Sequence, residues 1–333
     1  MPADDPGADA EAGIRARLFD ADGHDRAVAR DEVDPASVCE RCLLWVDIDL
    51  DAIDSIEEIA ARLGLSSSDV QRLEKDTGRA RLFHHTDRVH LTLEAIEGEG
   101  DDQDLRLVRR EIDLLAEPGV VVSTHRGPVA AIERFTEALS GETSLGALLA
   151  ADLFSSLADE IISGYLAIAE RIELRIDRLD QLALEGRAGD EVLRELLAIR
   201  QQIGFVRRSL APHRAAVAAL ARPDMEETGV GRPWPGLVER IEGAVATVEG
   251  LRQALLGTYD IHMGRAAQRA NDVMKALTIV SAVFLPAVVL AGVMGMNFGL
   301  TFFDHAENFY VVVAAMVVFA IAFIVVARVR DWF

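Results

Sequence analysis

Apolar residues along this chain follow three different patterns. In the first 148 residues they come in short runs bounded by charge or by Gly and Pro: residues 43–48 (Leu-Leu-Trp-Val-Asp-Ile), 88–95, 111–115 and 120–124 predict strands. Between these runs Ile56, Ile59, Ala60 and Leu63 share one face of a helix, and Ser66 and Ser68 form an N-cap cluster ahead of a second helix over 69–75. Residues 13–148 therefore predict a small sheet covered by helices, an α/β domain. Residues 1–12, rich in Ala, Asp, Pro and Gly, carry too little apolar surface to fold and are expected to be disordered.

The pattern changes at Ala150. Leu153, Leu157, Ile161, Tyr165, Ile168, Ile172, Ile176, Leu179 and Leu182 recur every three or four residues, the stripe of a helix packed lengthwise on another. Residues 185–190 break it. A second helix, capped by Asp190, carries Leu193, Leu197, Arg200, Ile203, Val206 and Leu210 and is expected to end before Pro212, so 149–236 reads as an antiparallel hairpin. From 237 to 293 no loop signal interrupts the pattern, which predicts one rod of about 85 Å at 1.5 Å per residue. Its first part, 237–275, is a stalk.

Residues 276–294 and 310–327 are apolar and uncharged. A hydrocarbon core of about 30 Å needs roughly 20 such residues, so transmembrane helices are expected over 276–297 and 310–327. Lys275, Arg328 and Arg330 flank the pair, while the intervening loop, 298–309, holds Asp304, His305 and Glu307. The positive-inside rule then places both termini, including the tail 328–333, in the cytosol and the loop outside. No signal peptide is visible at the N-terminus, so the expected location is the cell (inner) membrane.

Charge adds to this picture. The formal net charge is -21, and residues 1–275 hold 32 of the 34 basic and 52 of the 55 acidic side chains. A body that acidic repels nucleic acid and concentrates cations, so DNA and RNA are not expected partners. There is no Gly-rich phosphate loop, nucleophile elbow or HExxH, hence no support for an enzyme or for a cofactor. Cys39 and Cys42 form one CxxC. It lacks two further zinc ligands, with only His84 and His85 as conceivable completions, and it precedes a strand where a redox pair usually opens a helix, so neither role is favoured.

One face of the rod carries the candidate chemistry. Glu242, Glu249, Asp260, Asn271, Met274, Thr278, Ser281, Leu285, Val288, Gly292 and Gly295 fall on a slowly rotating stripe that ends in Gly295-Met296-Asn297. Hydroxyls in such a segment often bond back to the preceding turn, and surface carboxylates are usually merely solvated. Two membrane helices per chain cannot enclose an aqueous path, however. If the stripe lines a pore, the protein is a ring oligomer with one such helix per subunit.

The run 271–279 (Asn-Asp-Val-Met-Lys-Ala-Leu-Thr-Ile), Phe284-Leu285-Pro286 and the run 292–298 (Gly-Val-Met-Gly-Met-Asn-Phe) resemble the signature region of the CorA family of divalent-cation channels. The looser agreement covers nearly the whole chain. The resemblance implies a funnel-shaped homopentamer in the lipid bilayer that takes up Mg2+, and also Co2+ or Ni2+. Gly295, Met296 and Asn297 would be its outer selectivity filter, with Asn297 oxygens facing the hydrated ion. Asn271, Met274, Leu277, Leu285 and Val288 match family positions along the pore, with Met and Leu rings closing it by dewetting. Neutral amide oxygens can hold hydrated Mg2+ without stripping it. From the stripe, Asp260, Glu249 and Glu242 would gather cations in the cytosolic funnel, and Asp304 and Glu307 would attract them outside. The acidic residue that in some members joins a regulatory Mg2+ site would fall near Gly236, so that sensor is expected to be absent or built elsewhere. Two alternatives are a Zn2+ or other transition-metal transporter on the same scaffold, and a membrane-tethered structural or regulatory protein that does not transport.

Overall fold

The computed structural model describes residues 13–39, 41–76, 78–85, 88–101, 104–139, 149–185, 190–220, 235–296 and 306–329. These fall into two compact units. One holds the described residues up to Gln181 and from 190 to Thr258; the other holds those from Leu182 to 185 and from Tyr259 onward.

The first unit is built on a seven-stranded sheet: β1 (Ile14–Asp20), β2 (Arg26–Ala27), β3 (Cys42–Asp49), β4 (Arg81–His85), β5 (Arg88–Glu99), β6 (Arg106–Glu117) and β7 (Val120–His125), in the order β2-β1-β3-β7-β6-β5-β4. All neighbours are antiparallel except β3 and β7. That parallel pair is central and buried on both faces, which is why β3 and β7 read as nearly continuous apolar runs rather than alternating ones. Helices α1 (Glu57–Arg62) and α2 (Ser67–Glu74) cover one face, where Ile56, Ile59, Leu63 and Leu73 pack on Leu44, Val46, Ile48, Leu115 and Val122. A capping box starts α2: the Asp69 N–H donates to Ser66 Oγ at 3.2 Å and the Ser66 N–H to Asp69 Oδ2 at 3.1 Å. Gly13, which leads into β1, has φ +78°, and a Cβ there would stand 2.6 Å from Ala52 Cβ, so only glycine fits.

Helix α3 (Ala130–Ala138) sets Phe135 edge-on to Trp45, with ring centroids 5.4 Å apart. Beside it lies a buried polar network. Asp47 Oδ1 accepts from Ser123 Oγ at 2.5 Å, and Oδ2 accepts from Arg15 Nη2 at 2.7 Å and faces His125 Nε2 at 3.3 Å. Burial alone would raise the Asp47 pKa, but the His125 hydrogen bond and charge, Arg15 and Ser123 outweigh it and hold the carboxyl below its usual value. In the same way burial would lower His125, and Asp47 raises it. A cavity of about 220 Å3 opens at the carboxyl ends of β3 and β7, lined in part by Asp47, Asp49 and His125. Two of its acidic side chains are engaged locally: Asp47 in the network above, and Asp49 by the N–H groups of Asp51 and Gly127.

The long helices follow: α4 (Ala150–Leu184), α5 (Asp190–Leu220) and α6 (Pro235–Met294). The expected stop before Pro212 is not observed, because α5 runs through it. Beyond the proline His213, Val217 and Leu220 are buried, and their packing offsets the roughly 3 kcal/mol cost of an interior proline. His213 also ties the hairpin to the sheet. Its Nε2 accepts the Glu94 N–H at 2.9 Å and its Nδ1–H donates to the Ser209 carbonyl at 2.8 Å, a pairing that requires the neutral ring. Burial pushes its pKa down to about 4. Tyr165 Oη donates to the Glu94 carbonyl and Ser209 Oγ to the Glu94 carboxylate, both at 2.7 Å.

The Cys39 and Cys42 sulfurs form a disulfide, a pairing that the sequence reading, which favoured neither a zinc site nor a redox pair, did not assign. The cause is local. The Cys42 N–H donates to the Cys39 carbonyl at 3.0 Å, a turn that brings the two Cα atoms to 5.0 Å.

Candidate ion pathway

The N-terminal half of helix α6 is sided. Leu237, Ile241, Ala244, Val248, Leu251, Leu255, Thr258 and His262 are buried, at spacings that alternate between four and three. This is the seam of a helix lying lengthwise against others of its own chain. Arg240 reinforces it on the α4 side, reaching Asp159 at 3.0 Å and Ser163 at 2.9 Å.

Two of the acidic residues expected to gather cations are engaged by arginines. Glu242 Oε1 accepts from Arg214 Nε at 2.9 Å, and Glu249 lies 3.6 Å from Arg207 and 3.5 Å from Arg252. Arg207 and Arg214 on α5 are seven residues apart, as are Glu242 and Glu249 on the antiparallel α6, so one heptad places both pairs. That matching period was the signal in the sequence for these partners, and the stripe on α6 alone missed it. Asp260 is exposed and makes no ion pair among the described residues.

Farther along, the expected pore-lining side chains share one condition. Met274, Leu277, Leu285 and Val288 are 67 %, 64 %, 65 % and 65 % exposed, and Asn271, Thr278 and Ser281 are exposed as well. Thr278 Oγ1 donates its proton to the Met274 carbonyl at 2.8 Å. Its remaining capacity is that of an acceptor, the polarity a cation needs. Among the described residues, and apart from its own stretch of helix backbone, nothing lies within 4 Å of a Cβ placed on Gly292. Helix α6 ends at Met294, and Gly295 and Met296 continue its last turn, their N–H groups donating to Ala291 and Val293 carbonyls at 3.0 and 3.2 Å.

Asn297 and Asp304 lie outside the described residues. So do Arg330 and residues 1–12. Glu307 stands exposed in the first turn of α7 (Ala306–Val329), where a negative side chain suits the positive helix end. The structure thus sets Asn271, Met274, Thr278, Ser281, Leu285, Val288, Gly292 and Gly295 on one continuous helix.

Both C-terminal helices are long and apolar enough to cross a bilayer. The most apolar 18-residue window of α6 is 6 % buried and that of α7 is 0 % buried. Such surfaces are intolerable in water and natural in lipid.

The CorA-like Mg2+ transporter protein family matches residues 41–328. The cobalt/magnesium transport protein CorA of Thermotoga maritima is 27 % identical over 183 residues, 54 % of this chain and 52 % of that protein, so this alignment spans about half of each. The protein of the same description from Methanocaldococcus jannaschii is 22 % identical over 318 residues, 92 % of this chain and 97 % of that one. In fold, the complete structure of the CorA magnesium transporter from Methanocaldococcus jannaschii is similar with a TM-score of 0.70 at 21 % identity, covering 96 % of this chain and 98 % of its own. An α/β domain, long helices and two exposed apolar C-terminal helices, together with a family match over most of the sequence, place this chain in the CorA-like Mg2+ transporter protein family.

Proposed function

We propose that copies of this chain form a homopentameric ring that takes up Mg2+, and also Co2+ or Ni2+, along the exposed face of α6. The observation that carries this reading is the exposure of Met274, Leu277, Leu285 and Val288 on the same helix as Asn271, Thr278 and Ser281. An apolar stripe needs only lipid, but polar groups among those side chains need water or an ion, which only a ring of copies can enclose.

In this reading Gly295, Met296 and Asn297 form the outer filter, and amide oxygens grip the ion through its water shell. Rings of Met274, Leu277 and Leu285 close the path by dewetting, and Val288 makes its middle more apolar. Asn271 and Thr278 offer polar rings along it. Asp260 is the acidic residue that attracts cations on the cytosolic side; Glu242 and Glu249, held by arginines, contribute less. Asp304 and Glu307 attract cations to the outer mouth. Both termini face the cytosol across the cell membrane.

Hard oxygen ligands also favour Mg2+ over a Zn2+ cargo, since residues 265–333 contain His305 as their one histidine and no cysteine. Flux into proteoliposomes carrying the purified protein tests the proposal, comparing Mg2+, Co2+, Ni2+ and Zn2+. Wild type is expected to carry Mg2+, and Asn297→Ala to lose most of that flux while keeping its assembly. Intact pentamers of both proteins that pass no ion would end the channel reading.

A further inference from the structure

The Cys39–Cys42 bridge has no part in the ion pathway and little in the fold. Strand β3, which begins at Cys42, is held by seven register pairs to β1 and six to β7, so its position does not depend on the sulfurs. A sequence separation of three also closes one of the smallest possible rings, which restrains the unfolded chain least. The turn has its own backbone hydrogen bond from Cys42 N–H to the Cys39 carbonyl, and this does not require the S–S bond. The two ends differ in access: Cys39 is exposed, and Cys42 is partly covered.

We propose that Cys39 and Cys42 form an exchangeable dithiol/disulfide couple, a site of reversible modification by small thiols of the glutathione class. The thiolate of one such thiol attacks the exposed Cys39 Sγ, breaks the S–S bond and leaves the Cys42 thiolate. A second thiol attacks the mixed disulfide on Cys39 and releases the Cys39 thiolate together with the oxidised reagent. Two electrons pass to the bridge, and the protons of the two thiols end on Cys39 and Cys42. In the reverse direction the Cys42 thiolate resolves a mixed disulfide formed at Cys39. The proposal rests in part on the reading that this domain faces the cytosol, where a purely structural disulfide does not persist.

The test uses the full chain in detergent, equilibrated with glutathione buffers from fully reducing to fully oxidising. After an acid quench, free thiols are tagged with a polyethylene-glycol maleimide. The chain has two cysteines, so the gel reads two tags for the dithiol, none for the bridge and one for the mixed disulfide at Cys39. Two tags are expected to give way reversibly to none within the buffer range. Cys42→Ser should capture glutathione on Cys39 as a stable adduct, and Cys39→Ser should react more slowly. An untagged protein at every ratio, or a doubly tagged one at every ratio, overturns the proposal. The same trapping in growing cells separates this inference from the topology. Two tags that disappear after a pulse of thiol oxidant support both. A bridge that stays intact in unstressed cells, together with a reversible titration in vitro, overturns the cytosolic placement and leaves the couple standing.

Discussion

At the scale of single residues, partners decide what a charge or a ring can do. Glu242 and Asp260 are equivalent on the stripe, but Arg214 neutralises the first, and among the described residues the second makes no ion pair. Asp260→Asn is therefore expected to lower Mg2+ flux about two- to threefold without changing the order of ion preference, and Glu242→Gln to change it less. Proteoliposome flux at low ionic strength reads both. An altered ion preference in Asp260→Asn would show that the filter lies elsewhere. His213 supplies a second residue-level prediction. With a folded value of about 4 against the ordinary 6.5, the unfolded chain binds the extra proton, so this contribution to stability is lost as pH falls from about 6.5 toward 4. The loss amounts to about 2 kcal/mol between pH 7 and pH 5. His125 acts in the opposite sense: its value is raised, so its contribution is fully present below 6.5 and lost as pH rises through the folded value. Thermal unfolding of wild type against His213→Phe at both pH values isolates the first effect. The variant should cost roughly 1–3 kcal/mol at pH 7, by leaving the Glu94 N–H without its acceptor, and should show a shallower acid slope.

At the scale of elements, α6 carries two periodicities at once. Its buried seam alternates four and three, while Gly243, Gly250 and Gly257 repeat every seven on a face where an added Cβ, among the described residues, meets nothing beyond its own helix backbone within 4 Å. Each interior glycine costs a helix about 1 kcal/mol relative to alanine. Gly250→Ala should therefore stabilise the chain by up to about 1 kcal/mol, measured by thermal unfolding in detergent; a loss of stability would show that the open face is occupied in the assembled protein. Gly13 is the contrasting case. Its positive φ and the 2.6 Å approach to Ala52 predict that Gly13→Ala destabilises the domain by roughly 1–3 kcal/mol in the same assay. Elements also explain where the sequence misleads. Pro212 signals a helix end, and local rules weigh nothing against it, but the buried residues beyond it keep α5 going.

At the scale of the whole molecule, the decisive quantity is apolar surface left uncovered. The α6 and α7 windows are 6 % and 0 % buried, so this chain is incomplete in water and requires lipid. A pathway along one helix face further requires other copies. Native mass spectrometry from detergent is expected to give five times the 36.2 kDa of the chain. A monomer that retains Mg2+ flux would contradict the ring, because two helices enclose no aqueous path.

The sequence by itself determined what is written in local period and composition. It determined the membrane helices, whose uncharged runs match a bilayer; the rod that joins one of them to the long helices; four of the seven strands of the α/β domain, β3, β5, β6 and β7, while β1, β2 and β4 went unread; and the stripe ending in Gly295-Met296-Asn297. Each depends on residues close together in the chain. Only the tertiary structure decided which elements meet. The parallel pairing of β3 with β7 joins segments more than 70 residues apart. The ion pairs of Glu242 and Glu249 follow from α5 lying antiparallel to α6. Asp47, in the middle of an apolar run, becomes legible only when Arg15, Ser123 and His125 converge on it to compensate its burial. Desolvation and pairing are properties of a site in space, and one-dimensional periodicity does not carry them.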